Sequence, residues 1–381
     1  MADIMYNILN SKYNKNQNQD IKNRIDNELK MLDLNDMEGE FRAVYEMIKY
    51  LRDKNIPYIT GGTAANSFLL YILGITAANP LKPHYYCREC GKIEFSDQAS
   101  DGFDLPDRNC ECGRRMEKDG HNLAPEQFWG VEGETSISAH QIPVKVPQSA
   151  FPAAKDFIES HRDMQHLQKN VGVNGLEFNC ENIIISSDSK LPENDPGWHE
   201  SIDTNEMREY LIGDYKNVLS LEQSTEVHPS SFKGVLKMYG LTRSTWKGIE
   251  NVKKLKGDES DGRIAYSLED FGYSLDVVPS YFDDVFDILV KEDFPPAKAH
   301  EEAANVRFGR GISKEILDTL FENDSLPWCG NAVSLLPRAQ GIEELISAFR
   351  LSRYDQRKKE AEAQDADKGG AGDDLSGGDE K

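Results

Sequence analysis

Three neighbouring stretches decide the reading of this chain: Asn79–Cys90, NPLKPHYYCREC; Gly102–Gly113, GFDLPDRNCECG; and Lys118–Gly130, KDGHNLAPEQFWG. Four of the six cysteines fall here, as Cys87, Cys90, Cys110 and Cys112. Their spacing is C-x2-C, nineteen intervening residues, then C-x-C. Two close thiol pairs that far apart read as a structural zinc site, in which each turn offers two thiolates and four soft ligands close a tetrahedron. The stretch carries little apolar content, so a metal would supply the energy that a core supplies elsewhere. The second pair is tighter than the usual C-x2-C, which leaves His121 or His84 open as a fourth ligand. The metal-free alternative is four reduced cysteines in a mobile loop.

The same words identify a family. The segment Ile75–Trp129 resembles the zinc-bearing insertion in the palm of PolC-type bacterial DNA polymerase III, which reads N-P-L-x-P-H-Y, C-x2-C, G-F-D-L-P-x-K-N-C-P-x-C-G and K-D-G-H-x-I-P-F-E-T-F. Here the second cysteine pair is one residue shorter. The resemblance implies an α+β fold. It would be a nucleotidyltransferase-type palm with a mixed sheet and an inserted zinc knuckle, followed by a mostly helical fingers region and an acidic tail.

Composition sets the bounds. The chain has 381 residues and 38% hydrophobic content, enough for one large domain or two medium ones with a real core. No apolar run is long enough to cross a membrane, and the N-terminus MADIMYNILNSKYNKNQNQ lacks the pattern of a signal peptide. Clustered cysteines without an export signal point to a reducing cytoplasm, with Cys180 and Cys329 as buried thiols. The net charge is −22, of which Glu360–Lys381 contributes −6 from eight acids and two lysines. A body this acidic is a poor non-specific binder of nucleic acid, because such affinity comes from releasing counterions off phosphates.

The expected organisation is a polar, mobile segment over 1–19 and a palm-like domain over 20–227 with the zinc insertion at 84–121. A helical fingers-like domain over 228–355 and a disordered acidic tail over 356–381 complete it. Phe41, Val44, Tyr45, Ile48 and Leu51 share one helical face. Ile56–Thr60 reads as a strand, Thr63–Leu73 as a buried helix, Ile183–Ile185 as a central strand, and Val218–Leu221 as another. Helical patterns follow over Pro279–Val290, Ala297–Phe308, Ser313–Phe321 and Ile342–Leu351.

Collinear likeness to the family continues from about 20 to 355, more loosely outside the insertion. TGGTAANS at Thr60–Ser67 resembles the family's Gly/Ser-rich turn. A strand-turn-helix of that kind offers N–H groups to a phosphate, which makes Gly61, Gly62, Thr63, Asn66 and Ser67 a candidate nucleotide-phosphate loop. A plain helix cap at Thr63 is the alternative. HPSSFKGVLKMYGLTRSTW at His228–Trp246, NVRFGRG at Asn305–Gly311 and LLPRAQ at Leu335–Gln340 resemble fingers phrases. Residual DNA contact would fall to Arg243, Lys247, Lys253, Lys254 and Arg338, with Lys256, Arg263, Arg350 and Arg353 beside them. A charge-balanced solvated surface is the other reading.

Nucleotidyl transfer needs two magnesium ions held by clustered carboxylates. The resemblance places the family's paired aspartates at Ser136 and Ser138 and its third acid at Glu222. A neutral hydroxyl cannot balance a divalent ion, so the resemblance implies lost catalysis. Substitutes are conceivable in Glu132 and Glu134, whose spacing puts both on one face of a strand, and only then would magnesium be a cofactor. Asp203 and Asp214 stand nearby in the pattern. The resulting expectation is a PolC-like, replication-associated pseudo-polymerase that binds replication proteins or primer-template DNA. The alternatives are a polymerase with substitute carboxylates, or a zinc-stabilised interaction or regulatory module.

Overall fold

The structure is a computed structural model and describes residues 2–13, 18–131, 140–160, 171–172, 175–180, 182–221, 228–243, 279–319 and 334–370. Three N-terminal helices come first: α1 (Ala2–Tyr13), α2 (Gln19–Leu34) and α3 (Glu38–Asp53). Strand β1 (Ile59–Thr60), a 3-10 turn (Ala64–Asn66) and the short helix α4 (Phe68–Ile72) follow. The cysteine insertion contributes β2 (His84–Tyr86), β3 (Ile93–Phe95), a second 3-10 turn (Gly102–Asp104), β4 (Glu117–Asp119) and α5 (Glu126–Trp129). The chain then returns through β5 (Ile142–Val146), α6 (Phe151–Ser160), β6 (Val171–Gly172), β7 (Gly175–Cys180) and β8 (Ile183–Ser187). The remaining elements among the described residues are helices: α7 (Thr204–Gly213), α8 (Tyr215–Val218), α9 (Phe232–Arg243), α10 (Phe282–Lys291), α11 (Pro296–Arg307), α12 (Lys314–Thr319) and α13 (Arg338–Gly370).

The main sheet is mixed, in the order β1-β5-β8-β7-β6. Strand β5 runs parallel to β8, with Val144 opposite Ile185, and the other neighbours are antiparallel. Alternate residues Ile142, Val144 and Val146 of β5 are buried, as are Ile183 and Ile185 of β8. That period of two makes one sheet face apolar. This face shares a core with α1 to α4 and α6, through residues such as Phe41, Met47, Phe68, Ile158 and Phe178. Cys180 is buried there, as expected, while Cys329 lies outside the described residues. No helix among the described residues is long and apolar enough to span a membrane.

Several expectations need correction. The N-terminal segment is helical over Ala2–Tyr13, and Met5 and Leu9, one turn apart, are buried. Asn-rich composition hid this pair. Val218–Leu221 is not a strand: α8 ends at Val218, and Ser220 turns through a left-handed conformation at φ 55°. Helix α13 continues to Gly370, so the disorder expected from 356 does not hold through 370, and residues 371–381 lie outside the described set.

The boundary expected at 227/228 does not separate two cores. Ile342, Leu345 and Ile346 of α13 pack with Ala65, Ala78 and Phe103 and with residues of α7 and α9. Tyr281 shows how tightly the helical part closes, its hydroxyl donating to the Leu236 carbonyl at 2.5 Å. A Cβ at Gly240 would lie 2.5 Å from the Ser280 carbonyl, and one at Gly341 would lie 2.4 Å from the Tyr281 hydroxyl. Only glycine fits at either place.

Candidate metal centre and the glycine-rich loop

Strand β2 stands between β3 and β4 in a small antiparallel sheet. Cys87 follows β2 directly. Its N–H donates to the Lys92 carbonyl and its own carbonyl accepts from Gly91, whose φ of 71° is a conformation glycine adopts freely. The second turn repeats the device, with Cys110 N–H on the Arg114 carbonyl, Gly113 N–H on the Cys110 carbonyl, and Gly113 at φ 85°. The missing residue of the C-x-C pair is therefore absorbed within the turn.

All four Sγ atoms lie within 4.8 Å of one another. The Cys87–Cys112 and Cys90–Cys110 pairs are each 3.5 Å apart. A tetrahedral ion with metal–sulfur bonds of about 2.3 Å needs sulfurs roughly 3.8 Å apart, so the cluster could hold one. The Cys90 N–H lowers the Cys87 thiol to about 7. The Cys90 thiol is pushed up to about 12: the Lys92 N–H favours the thiolate, but Cys110 and Cys87 together outweigh it. One thiol ionises readily and the next resists, because neighbouring thiols disfavour a second negative charge.

Neither histidine joins the cluster. His84 Nδ1 lies 2.7 Å from the Lys82 carbonyl, and the ring packs edge-on against Phe95. His121 is buried with Nδ1 2.8 Å from Asp101 Oδ2, between Phe103 and Phe232. Burial works against its protonation, but the Asp101 carboxylate outweighs that and raises its pKa.

The sequence pass missed what the phrase GFDLPDRNC does in space. Asp104 accepts from the Phe232 and Lys233 N–H groups at 2.7 and 2.9 Å, closing the N-terminus of α9, and from Arg208 Nε of α7 at 2.9 Å. Phe103 enters the helical core against Phe232 at 4.9 Å. Asp107 takes Lys118 at 3.1 Å and Asn205 of α7 at 3.0 Å. A Cβ on Gly102 would sit 2.0 Å from the Asp119 carbonyl oxygen. The insertion is thus a bracket between the thiol cluster and α7 and α9. Two acids six and three residues before Cys110, Asp104 and Asp107, are the signal that could have found it.

The glycine-rich loop has a different character. The helix cap falls at Ser67, whose side chain accepts from the Leu70 N–H, and not at Thr63. The N–H groups of Phe68 and Leu69 point at the buried carboxylate of Glu28, at 3.0 and 3.3 Å, and the Ser67 hydroxyl donates to it at 2.8 Å. Arg24 pairs with Glu28 and also donates to the Asn66 carbonyl at 2.7 Å. Asn66 donates to the Ala124 carbonyl at 2.9 Å. Gly61 and Gly62 lie against Pro143. Beside the loop, buried Glu343 of α13 accepts from Thr60 Oγ1 at 3.0 Å and from the N–H groups of Ala77 and Ala78 at 2.7 and 2.8 Å. Glu28 thus holds the Ser67 hydroxyl and the first N–H groups of α4, and Glu343 holds Thr60 and the N–H groups of Ala77 and Ala78.

The other candidates divide. Ser136, Ser138, Glu132, Glu134, Glu222, Lys247, Lys253, Lys254, Lys256 and Arg263 lie outside the described residues. Asp203 accepts from the N–H groups of Asn205 and Glu206 and caps α7, and Asp214 joins α7 to α8. Arg243 lies over the Tyr239 ring at 5.2 Å. Arg338 is no free surface cation: its side chain meets Asp287 at 2.6 Å and its N–H donates to Asp283 at 2.7 Å. Arg353 pairs with Glu206, and Arg350 lies over Trp198 at 5.8 Å. The described part of the expected basic face is therefore largely engaged within the fold.

Comparison with known proteins bears on the N-terminal third of the chain. Residues 1–136 match the family model described as the bacterial DNA polymerase III alpha NTPase domain. The DNA polymerase III PolC-type of Ureaplasma parvum is 36% identical over 137 residues, which is 35% of this chain and 9% of that protein. That of Clostridium perfringens is 36% identical over 141 residues, 35% of this chain and 10% of that protein. That of Bacillus subtilis is 32% identical over 137 residues, again 35% and 10%. Over its N-terminal third the chain is PolC-like and diverged. It spans about a tenth of the length of these curated relatives.

Proposed function

We propose that this protein is a PolC-derived, replication-associated module that keeps the family's zinc-stabilised scaffold and has lost nucleotidyl transfer. The observation that carries the reading is Glu28. An internal carboxylate, salt-bridged to Arg24, holds the Ser67 hydroxyl at the end of the loop that resembles the family's Gly/Ser-rich turn, and the Phe68 and Leu69 N–H groups of α4 that follow it. A triphosphate could take those donors only by expelling a buried ion pair, at a cost of several kcal/mol. Ser136 and Ser138, at the positions the resemblance gives to paired aspartates, support the same conclusion, because serine hydroxyls do not hold divalent ions as carboxylates do.

Zinc would be held by Cys87, Cys90, Cys110 and Cys112 in a closed, structural site. It would fix the two turns and, through Asp104 and Asp107, the positions of α7 and α9. The palm of a nucleotidyltransferase supplies the parent architecture, and replication proteins are the partner class. Primer-template DNA is the weaker partner, given the net charge of −22 and the engagement of Arg338 and Arg353.

Primer extension with the zinc-loaded chain, Mg²⁺ or Mn²⁺ and all four deoxynucleotides tests the reading. No extension is expected. Templated extension that is abolished by Glu222→Gln would overturn it.

A further inference from the structure

Away from the thiol cluster and the glycine-rich loop, a cavity of about 610 Å³ opens between α3, the end of α4, β4 and α13. That volume lies within the range of small-molecule sites. Arg52 and Arg350 line it, together with Lys118, Tyr71, Phe103 and Ile346.

Most charges around this cavity are already matched. Lys118 is held by Asp107 and Asn205, Arg88 by Glu117, and Arg115 by Asp107. Asp119 accepts from the Tyr71 hydroxyl and from Asn79 Nδ2, and Asp203 caps α7. Glu200 is exposed at the margin.

Arg52 and Arg350 differ from the rest. Arg52 donates only to neutral oxygens, the Tyr58 hydroxyl at 3.0 Å and the Gly74 carbonyl at 2.9 Å. Gly74 makes room for it, since a Cβ there would lie 2.6 Å from a guanidinium nitrogen. Arg350 rests on the Trp198 ring, and its Nε has no hydrogen-bond partner. Neither guanidinium has a carboxylate within ion-pair distance among the described residues. Glu343 and Asp195, the acids nearest Arg350, are engaged with backbone N–H groups and with Arg357. The hydroxyl of Thr76, which also lines the cavity, is buried without a partner. Two like charges thus line one cavity, Arg52 exposed at its mouth and Arg350 more deeply set, neither paired with a carboxylate among the described residues, in a protein whose net charge is −22.

We propose that this cavity binds a small organic phosphate, with Arg52 and Arg350 receiving the phosphoryl group. Guanidinium forks match phosphate geometry, and two of them match its double charge. Thr76, whose oxygen is buried without a partner among the described residues, adds a neutral donor once its side chain turns toward the cavity. Tyr71, Phe103 and Ile346 give the organic part an apolar wall. This site is separate from the loop at Gly61–Ser67 and does not depend on the reading of lost polymerase chemistry.

Calorimetric titration of the full zinc-loaded chain, without divalent metal, tests it with adenosine monophosphate, inorganic phosphate and acetate as probes. Saturable binding of the monophosphate at sub-millimolar concentration is expected, with acetate far weaker. Arg52→Gln and Arg350→Gln should each weaken it at least about tenfold, the loss typical of one charge-assisted contact. Arg42→Gln, which removes an exposed pair with Glu38, should change nothing. Should Arg350→Gln fail to fold, Arg350→Lys keeps the stem on Trp198 and should bind with intermediate affinity. No saturable binding at millimolar monophosphate and phosphate, equal binding of acetate, or affinity untouched in both arginine variants would overturn the proposal.

Discussion

The thiol cluster and the glycine-rich loop lie close in sequence, and both are PolC-like, yet they differ in what fills them. In the first, four cysteines from two glycine-closed turns bring their sulfurs within 4.8 Å of one another. In the second, the donors at the head of α4 converge on Glu28, a residue about forty positions earlier. The first is a cluster of soft ligands that could hold a cation. The second is a socket the chain has closed with its own anion. On the proposed reading, the first region keeps a stabilising role while the second is satisfied from within.

The sharpest way to break that comparison is to remove the metal. One zinc per chain is expected by elemental analysis of protein purified without chelators. Stripping it, or introducing Cys87→Ser with Cys110→Ser, should lower Tm by roughly 10 °C, since metal binding to such sites is folding free energy. Because Asp104 and Asp107 tie the insertion to α7 and α9, amide exchange should rise in those helices as well as in the turns. An unchanged Tm would make the cluster four ordinary thiols.

The loop is tested next. Glu28→Ala leaves the half-buried Arg24 beside three abandoned donors and should cost about 3 kcal/mol in urea unfolding. A cost below about 1 kcal/mol would mean that the carboxylate is not what organises the head of α4. A smaller effect belongs to the bracket. Asp104→Ala removes the acceptor for two N–H groups of α9 and one Arg208 contact, and should cost about 2 kcal/mol.

The smallest effect is a pH dependence at His199, which stacks on Tyr58 at 5.2 Å beside the arginine pair. Burial is the main cause holding its pKa down to about 4, from an ordinary 6.5, and Arg52 and Arg350 add to the depression. The unfolded chain therefore takes up a proton below 6.5 that the folded chain refuses until about 4. Native stability should fall as pH drops through that window. His199→Gln should lose less over the same window, by roughly 1 kcal/mol, the ring being only partly buried. Parallel pH profiles for the two proteins would contradict the assignment.

What was legible in the sequence follows the range of the interactions. The four thiols sit on short turns, and their spacing carries them to within 4.8 Å of each other. The central strand at Ile183–Ser187 and the helices around Phe286, Ala303 and Ile346 follow from apolar periods that local geometry obeys. The failures share a cause. Val218–Leu221 is apolar enough for a strand, but α7 and α8 carry it into a helical core. Arg338 looks like a surface cation until α13 brings it to Asp287, and His121 looks like a ligand until Asp101 takes its Nδ1. Glu28 gave no signal, because nothing in its own helix shows that the head of α4 will reach it.

The central claim, that the scaffold is kept while the triphosphate site is closed, is met most directly by calorimetry on the zinc-loaded chain with Mg²⁺ and a deoxynucleoside triphosphate. Arg52→Gln serves alongside, to remove any binding at the separate cavity. The account predicts no metal-dependent heat in either protein. Metal-dependent binding that survives Arg52→Gln and disappears in Ser67→Ala would contradict it, because the loop would then hold phosphate in spite of Glu28.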